Sequence, residues 1–215
     1  MHSVFLGLLL AAAAFCQPVS VGLKIGVPLS DAFNIATSGQ TNYTADTHRY
    51  TLGPSIELRL PARFSVEVDA LYKSLEYRSS SGGLSGVTLN SDVTSGSWEF
   101  PILLKYHILP EVPLIKPYLE AGPSFSRLSG LKQVFTCLGN SCGGTSSGSS
   151  STPPELTHSS NYGLTFGAGI DFHVILVHIS PEVRYTRWGF ENFSTLSGLL
   201  SSNQNQAAFL VGISF

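Results

Sequence analysis

Asn205-Gln206-Ala207-Ala208-Phe209-Leu210-Val211-Gly212-Ile213-Ser214-Phe215 alternates large apolar residues with small ones. Side chains of an extended strand alternate between its two faces, so Phe209, Val211, Ile213 and Phe215 share one face. Ala208, Leu210, Gly212 and Ser214 share the other. One face is large and apolar, the other small. A soluble sheet can use such a strand, so its meaning depends on whether the preceding chain repeats the pattern.

The pattern recurs seven times. Segment 19–27 sets Val21, Leu23, Ile25 and Val27 against Ser20, Gly22, Lys24 and Gly26. Segment 51–60 sets Leu52, Ile56, Leu58 and Leu60 against Gly53, Ser55, Glu57 and Arg59. Segment 64–77 places Phe64, Val66, Val68, Ala70 and Tyr72 opposite Glu67, Asp69 and Lys73. In 96–106, Trp98, Phe100, Ile102, Leu104 and Tyr106 oppose Glu99, Leu103 and Lys105. Segment 116–127 alternates Leu119, Ala121 and Phe125 with Tyr118, Glu120, Gly122 and Ser124. Segment 161–174 has Tyr162, Leu164, Phe166, Ala168, Ile170 and Phe172 against Gly163, Thr165, Gly167, Gly169 and Asp171. Segment 177–188 has Ile179, Val183 and Tyr185 against Ser180, Glu182, Arg184 and Thr186.

Between these eight predicted strands the connections sort by length. Polar segments 28–49, 78–95, 129–159 and 189–203 are long, whereas 61–63, 107–115 and the turn after 174 are short. A transmembrane barrel has short turns at one end and long loops at the other, which requires this order. A β-sandwich has no reason to sort its loops so. The expected fold is all-β, an eight-stranded antiparallel up-and-down transmembrane β-barrel. The four long segments are expected to be loops. The run 143–151, made of Ser, Gly and Thr, has too little apolar surface to offset its ordering entropy and is expected to be mobile.

Composition agrees. Of 215 residues 12% are charged, about half the usual quarter, while 11% are aromatic and 21 are Gly. No run after residue 16 approaches the roughly 18 apolar residues of a membrane helix. The net charge of −2 argues against nucleic acid as a partner, since phosphate neutralisation needs surplus cations.

Charges on the small-residue parity are Lys24, Arg59, Lys73, Lys105, Lys116 and Arg184 with Glu57, Glu67, Asp69, Glu99, Glu120, Asp171 and Glu182. Facing lipid at the midplane, each would cost about 2–4 kcal/mol. Inside a narrow barrel they can pair, which assigns this parity to the lumen. Eight strands enclose a space just filled by side chains, so a packed polar interior is expected rather than a wide pore. The strand-end aromatics Phe64, Tyr72, Trp98, Tyr106, Tyr162, Tyr185, Trp188 and Phe215 lie where interfacial girdles belong.

Residues 4–15 form an apolar stretch with the small residues Ala11 to Ala14 near its end, which reads as a secretory leader spanning 1–16 and cleaved after Cys16 or Ala14. The mature barrel domain would then be 17–215. It retains two cysteines, Cys137 and Cys142, and in an oxidising compartment such a pair favours a disulfide. A metal site would want further ligands nearby.

Three segments resemble the small outer-membrane β-barrel domain proteins of Gram-negative-type bacteria, the OmpA/OmpX-like and PorT-like group. They are Trp98-Glu99-Phe100-Pro101-Ile102-Leu103-Leu104-Lys105-Tyr106, Lys116-Pro117-Tyr118-Leu119-Glu120-Ala121-Gly122-Pro123 and Ile179-Ser180-Pro181-Glu182-Val183-Arg184-Tyr185. The final strand, with Phe209, Val211, Ile213 and Phe215, is similar to the closing strand of such barrels, where it is also the assembly signal. The resemblance implies an integral outer-membrane location, passage through the barrel-assembly machinery, and contact with outer-membrane lipid and lipopolysaccharide. A monomer without a wall-anchoring domain after Phe215 is expected. Function is implied poorly, because the group includes structural barrels, adhesion or defence proteins and assembly factors.

One constellation could carry chemistry. His158 and Ser160 fall on one face, and His158-Ser159-Ser160-Asn161 resembles the His-x-Ser-Asn element of lipid A deacylase barrels. The third member is missing, because Asp171 points inward at the far end of the strand and Glu191 would need its loop to fold back. His173 and His178 flank a tight turn, too few ligands for a metal. The expectation is a non-enzymatic structural or surface-interaction protein with no catalytic residue, metal or cofactor; the alternatives are a lipid-modifying rim enzyme and a narrow channel.

Overall fold

The computed structural model describes residues 19–35, 41–45, 50–82, 87–108, 115–139, 142, 144–174, 177–195 and 198–215. The expected leader, 1–16, lies outside the described residues. The strands are β1 (Val19–Pro28), β2 (Phe33–Ile35), β3 (Thr41–Ala45), β4 (Thr51–Arg59), β5 (Phe64–Asp69), β6 (Leu71–Gly82) and β7 (Thr88–His107). They continue with β8 (Ile115–Gly139), β9 (Gly144–Ser150), β10 (Ser160–Val174), β11 (Val177–Trp188), β12 (Leu200–Ser202) and β13 (Asn205–Ser214).

Antiparallel ladders link β1 to β4, β4 to β5, β5 to β7, β7 to β8, β8 to β10, β10 to β11 and β11 to β13. The last ladder returns from β13 to β1, Leu23 opposite Ile213 and Val27 opposite Phe209, and closes an eight-stranded ring. β5 and β6 form one wall strand broken at Ala70, since both pair with β4 and with β7 in one register. Closure matters because lipid offers no partner to a free backbone edge.

The ring is sheared. A walk across the ladders from Val19 passes Leu58, Val66, Leu104, Ala121, Phe166, Tyr185 and Ala207. It returns just past the end of β1 at Leu29, whose amide donates to the Ala207 carbonyl at 2.8 Å, ten residues beyond Val19. Such a stagger tilts the strands and fixes which side chains meet inside. The expected parities hold: Leu23, Ile56, Leu104, Leu119 and Leu164 are 49–55% exposed on the outer wall, whereas Lys24, Glu67, Lys105, Glu120, Glu182 and Arg184 are at most 4% exposed.

Three expectations change. Segment 78–95 is largely a ladder, not a loop, for β6 and β7 stay paired from Leu71↔Glu99 to Gly82↔Thr88. Segment 129–159 is likewise mostly strand: β8 runs to Gly139, and β9 lies along it from Gly139↔Gly144 to Gln133↔Ser150. These residues are mostly Ser, Thr, Gly and Asn and show little apolar alternation, yet the wall strands below template their extension. Trp188 is the third correction. It sits on the inner parity with Glu182, Arg184 and Thr186 and is buried, so it is a core residue and not a girdle residue.

At the loop end, β2 pairs with β12 in a small sheet of its own and β3 joins β6. That brings Phe33, Leu75, Tyr77, Val93, Leu128, Phe193 and Leu200 into one buried apolar cluster. Phe33, Tyr77 and Phe193 meet edge to face with ring centroids 5.4–5.8 Å apart, the favoured arrangement of aromatic quadrupoles.

Candidate functional site

Inside the ring, six wall strands aim charged groups at one another. Each comes from an inward position of an alternating strand, so the site follows from parity and shear alone. Arg184 of β11 stands at its centre. Its Nη1 donates to Asp69 at 2.6 Å, its Nη2 to Glu67 at 2.5 Å and its Nε to Glu120 at 2.7 Å, with Glu182 at 2.8 Å. Lys24 of β1 holds Glu67, and Glu182 at 2.8 Å; Lys105 of β7 holds Glu67 at 2.5 Å and approaches Glu57 at 3.6 Å. Tyr118 donates its hydroxyl to Glu182 at 2.6 Å, and Lys105 Nζ lies 4.4 Å from its ring centroid.

Glycines make room for this packing. A Cβ on Gly167 would stand 2.4 Å from Glu120 Oε1, and one on Gly169 2.4 Å from the Tyr118 hydroxyl. Both glycines stand on the inward parity expected from the alternation of 161–174.

Four carboxylates, Glu67, Asp69, Glu120 and Glu182, face three cations, Lys24, Lys105 and Arg184. Glu67, Glu120 and Glu182 bring an oxygen each within 4.8 Å of one another. The ammonium and guanidinium groups occupy the space between them, so the donor set suits an ion-pair network rather than a metal. Among the described residues, Asp69 Oδ1, Glu120 Oε2 and Ser65 Oγ have no hydrogen-bond partner.

Two smaller groups flank the network. Toward the short turns, Asp171 accepts from Ser180 at 2.5 Å and lies 2.9 Å from His107 Nε2. Arg59 and Lys116 face inward there without an ion pair to another described residue. Toward the loops, Lys73 pairs with Glu99 and donates to Gln206 at 2.7 Å. Ser124, Thr165 and Thr186 form a hydroxyl chain with steps of 2.6 and 2.8 Å. A cavity of about 100 Å³ lies between Arg184 below and the apolar cluster above, lined also by Lys73, Glu99, Leu75 and Leu210.

The predicted lumen residues thus meet inside one ring, most of them directly. Sequence reasoning gave no role to Tyr118, Leu210 or His107. Tyr118 and Leu210 already sat on the inward parity, which was the available signal. His107 was assigned to a connection, and its pairing with Asp171 depends on the shear.

The other candidates separate. His158 Nδ1 lies 3.3 Å from the backbone carbonyl of Glu191, and its ring stacks on Phe190 at 5.2 Å. No hydrogen bond joins His158 to Ser160 among the described residues. His173 and His178 are opposite one another in the β10–β11 ladder. Cys137 and Cys142 are bonded at the tip of the β8–β9 hairpin, with Cα atoms 6.1 Å apart. Tyr77 donates to Glu155 at 3.2 Å at the loop end, where burial and then the Glu155 charge hold its phenol above the ordinary value.

A closed antiparallel ring with an apolar outer wall and a charged interior defines a membrane-spanning β-barrel. The chain belongs to the outer membrane protein beta-barrel domain family, whose model matches residues 14–194, and its location is the bacterial outer membrane. It is similar to the N-terminal β-barrel domain of Pseudomonas aeruginosa OprF, at 14% identity over 93% of this chain and 98% of that one, TM-score 0.38. Ail, the attachment invasion locus protein of Yersinia pestis, gives 14% identity over 91% and 96%, TM-score 0.36. Neisserial surface protein A gives 14% over 91% and 94%, TM-score 0.40. No curated protein matches the chain.

Proposed function

We propose that this chain is a non-enzymatic, monomeric outer-membrane barrel whose lumen is plugged by its ion-pair network and whose loop end supports structural or surface-interaction roles. The observation that carries the reading is Arg184, bonded at once to Asp69 and Glu67 of β5, Glu120 of β8 and Glu182 of β11. A guanidinium fixed to opposite walls leaves little room for ions, and an apolar cluster lies above it. The outer wall would contact membrane lipid and lipopolysaccharide, and the final strand, Phe209 to Phe215 by parity, would be read by the assembly machinery. His158, held by a backbone carbonyl rather than by Ser160, supports the non-enzymatic part.

Planar-bilayer recording of the folded protein tests the plug. The expected trace is free of sustained conductance, and a steady channel in most insertions would overturn it. Incubation with lipid A should leave the lipid unchanged by mass spectrometry. Loss of an acyl chain that Ser160→Ala abolishes would replace this reading with a rim enzyme.

A further inference from the structure

The outer wall carries apolar residues at nearly every lipid-facing position, and its exceptions are informative. Arg127 of β8 and Arg187 of β11 are exposed on the outward parity, each near the loop end of its strand. Arg78, farther up, is committed to Asp92 at 2.9 Å and Glu76 at 3.5 Å. No carboxylate pairs with Arg127 or Arg187 among the described residues. Arg187 instead donates to the Asn205 amide oxygen at 2.6 Å, which also accepts from Tyr185 at 2.7 Å. That neutral acceptor orients the guanidinium and leaves its charge uncompensated.

Register places the two arginines together. β8 and β11 flank β10, where Arg127 lies opposite Ser160 and Arg187 opposite Leu164. The ladder walk climbs toward the loop end in the order β8, β10, β11, so a level line descends along it by about one residue per strand. That descent brings Arg187 nearly to the height of Arg127, roughly 16 Å away, two strand spacings across and four residues along β10. Tyr162, 57% exposed, stands between them on β10. Phe190 packs edge-on against Tyr162 at 5.2 Å, and Trp98 borders Arg127 from β7. Glu191, which follows Phe190, is the nearest acidic residue in sequence.

Resting on the reading of the outer wall as lipid-facing, we infer that Arg127, Tyr162 and Arg187 form a site for the phosphorylated sugar headgroup of an outer-leaflet glycolipid. Two unpaired guanidiniums match two phosphates, and the ring between them offers a sugar a flat apolar face. The low-dielectric boundary strengthens such pairing beyond what open water allows. An arginine that merely reaches the interface would favour any anionic lipid equally. The site predicts preference for a headgroup with two phosphates across a sugar.

The test is native mass spectrometry of the full detergent-folded chain, titrated with bisphosphorylated lipid A, its monophosphorylated form, or phosphatidylglycerol. Wild type is expected to hold one bisphosphorylated lipid A at least tenfold more tightly than phosphatidylglycerol, with the monophosphorylated form between. Arg127→Ala with Arg187→Ala should erase that preference, and Arg78→Ala should keep it. Each variant's mobility on unboiled gels reports whether the barrel is intact. A folded double variant that binds like wild type would overturn the site and leave the barrel reading standing. So would equal binding of phosphatidylglycerol, or an equal loss in Arg78→Ala.

Discussion

Arg184 Nη1 donates to Asp69 Oδ2 at 2.6 Å, joining two strands 115 positions apart in the chain across the barrel interior. Losing Arg184 takes a shared cation from Asp69, Glu67 and Glu120 at once. Breaking a buried ion pair costs roughly 3–5 kcal/mol because the remaining charge is left uncompensated. Arg184→Ala is therefore expected to lower stability by about that amount, read as the urea midpoint in detergent. Arg184→Lys should fall between, since one ammonium cannot reach Asp69, Glu67 and Glu120 in the fork geometry.

Gly169 gives a second prediction. A methyl group there would fall 2.4 Å from the Tyr118 hydroxyl and 2.9 Å from Glu182 Cβ. Both neighbours are held in the network, so Gly169→Ala should destabilise by about 1–3 kcal/mol through overpacking. A second substitution, Tyr118→Phe, should relieve part of the hydroxyl clash, and a double-mutant cycle on urea midpoints would read the coupling.

Tyr77 sets a pH dependence at the loop end. Its phenol is held above the ordinary value by burial and then by Glu155. A raised folded value means that its contribution is complete below the unfolded value of about 10 and declines as pH rises above it. Stability of the loop end, followed by amide exchange of β2 and β12, should fall above about pH 10 in wild type. Tyr77→Phe should flatten that part of the profile, and it should cost roughly 0.5–1.5 kcal/mol at neutral pH for the lost hydrogen bond.

What the sequence revealed follows from where each residue sits. Leu23, Leu104 and Leu164 face lipid while Lys24, Lys105 and Thr165 face inward, so period-two alternation exposed the wall strands, their order and the lumen charges. The hairpin extensions stayed hidden because segments such as Gly144–Ser150 have no apolar face to alternate. Their pairing is inherited from strands below. Trp188 was placed at the girdle because strand-end aromatics usually go there, but its parity with Arg184 already pointed inward. Which charges meet was illegible, since Lys24–Glu182 and His107–Asp171 depend on the shear, which no single strand encodes.

The most direct test of a closed barrel held by its interior network is gel migration of unboiled against boiled protein from an outer-membrane fraction, with Arg184→Ala alongside. Backbone bonds that run around the ring leave no edge to unzip in cold detergent. Wild type is expected to migrate compactly unboiled and to shift on boiling, and Arg184→Ala to shift at lower temperature. A single mobility for wild type, boiled or not, would contradict the closed ring, and identical transition temperatures for both proteins would contradict the role given to Arg184.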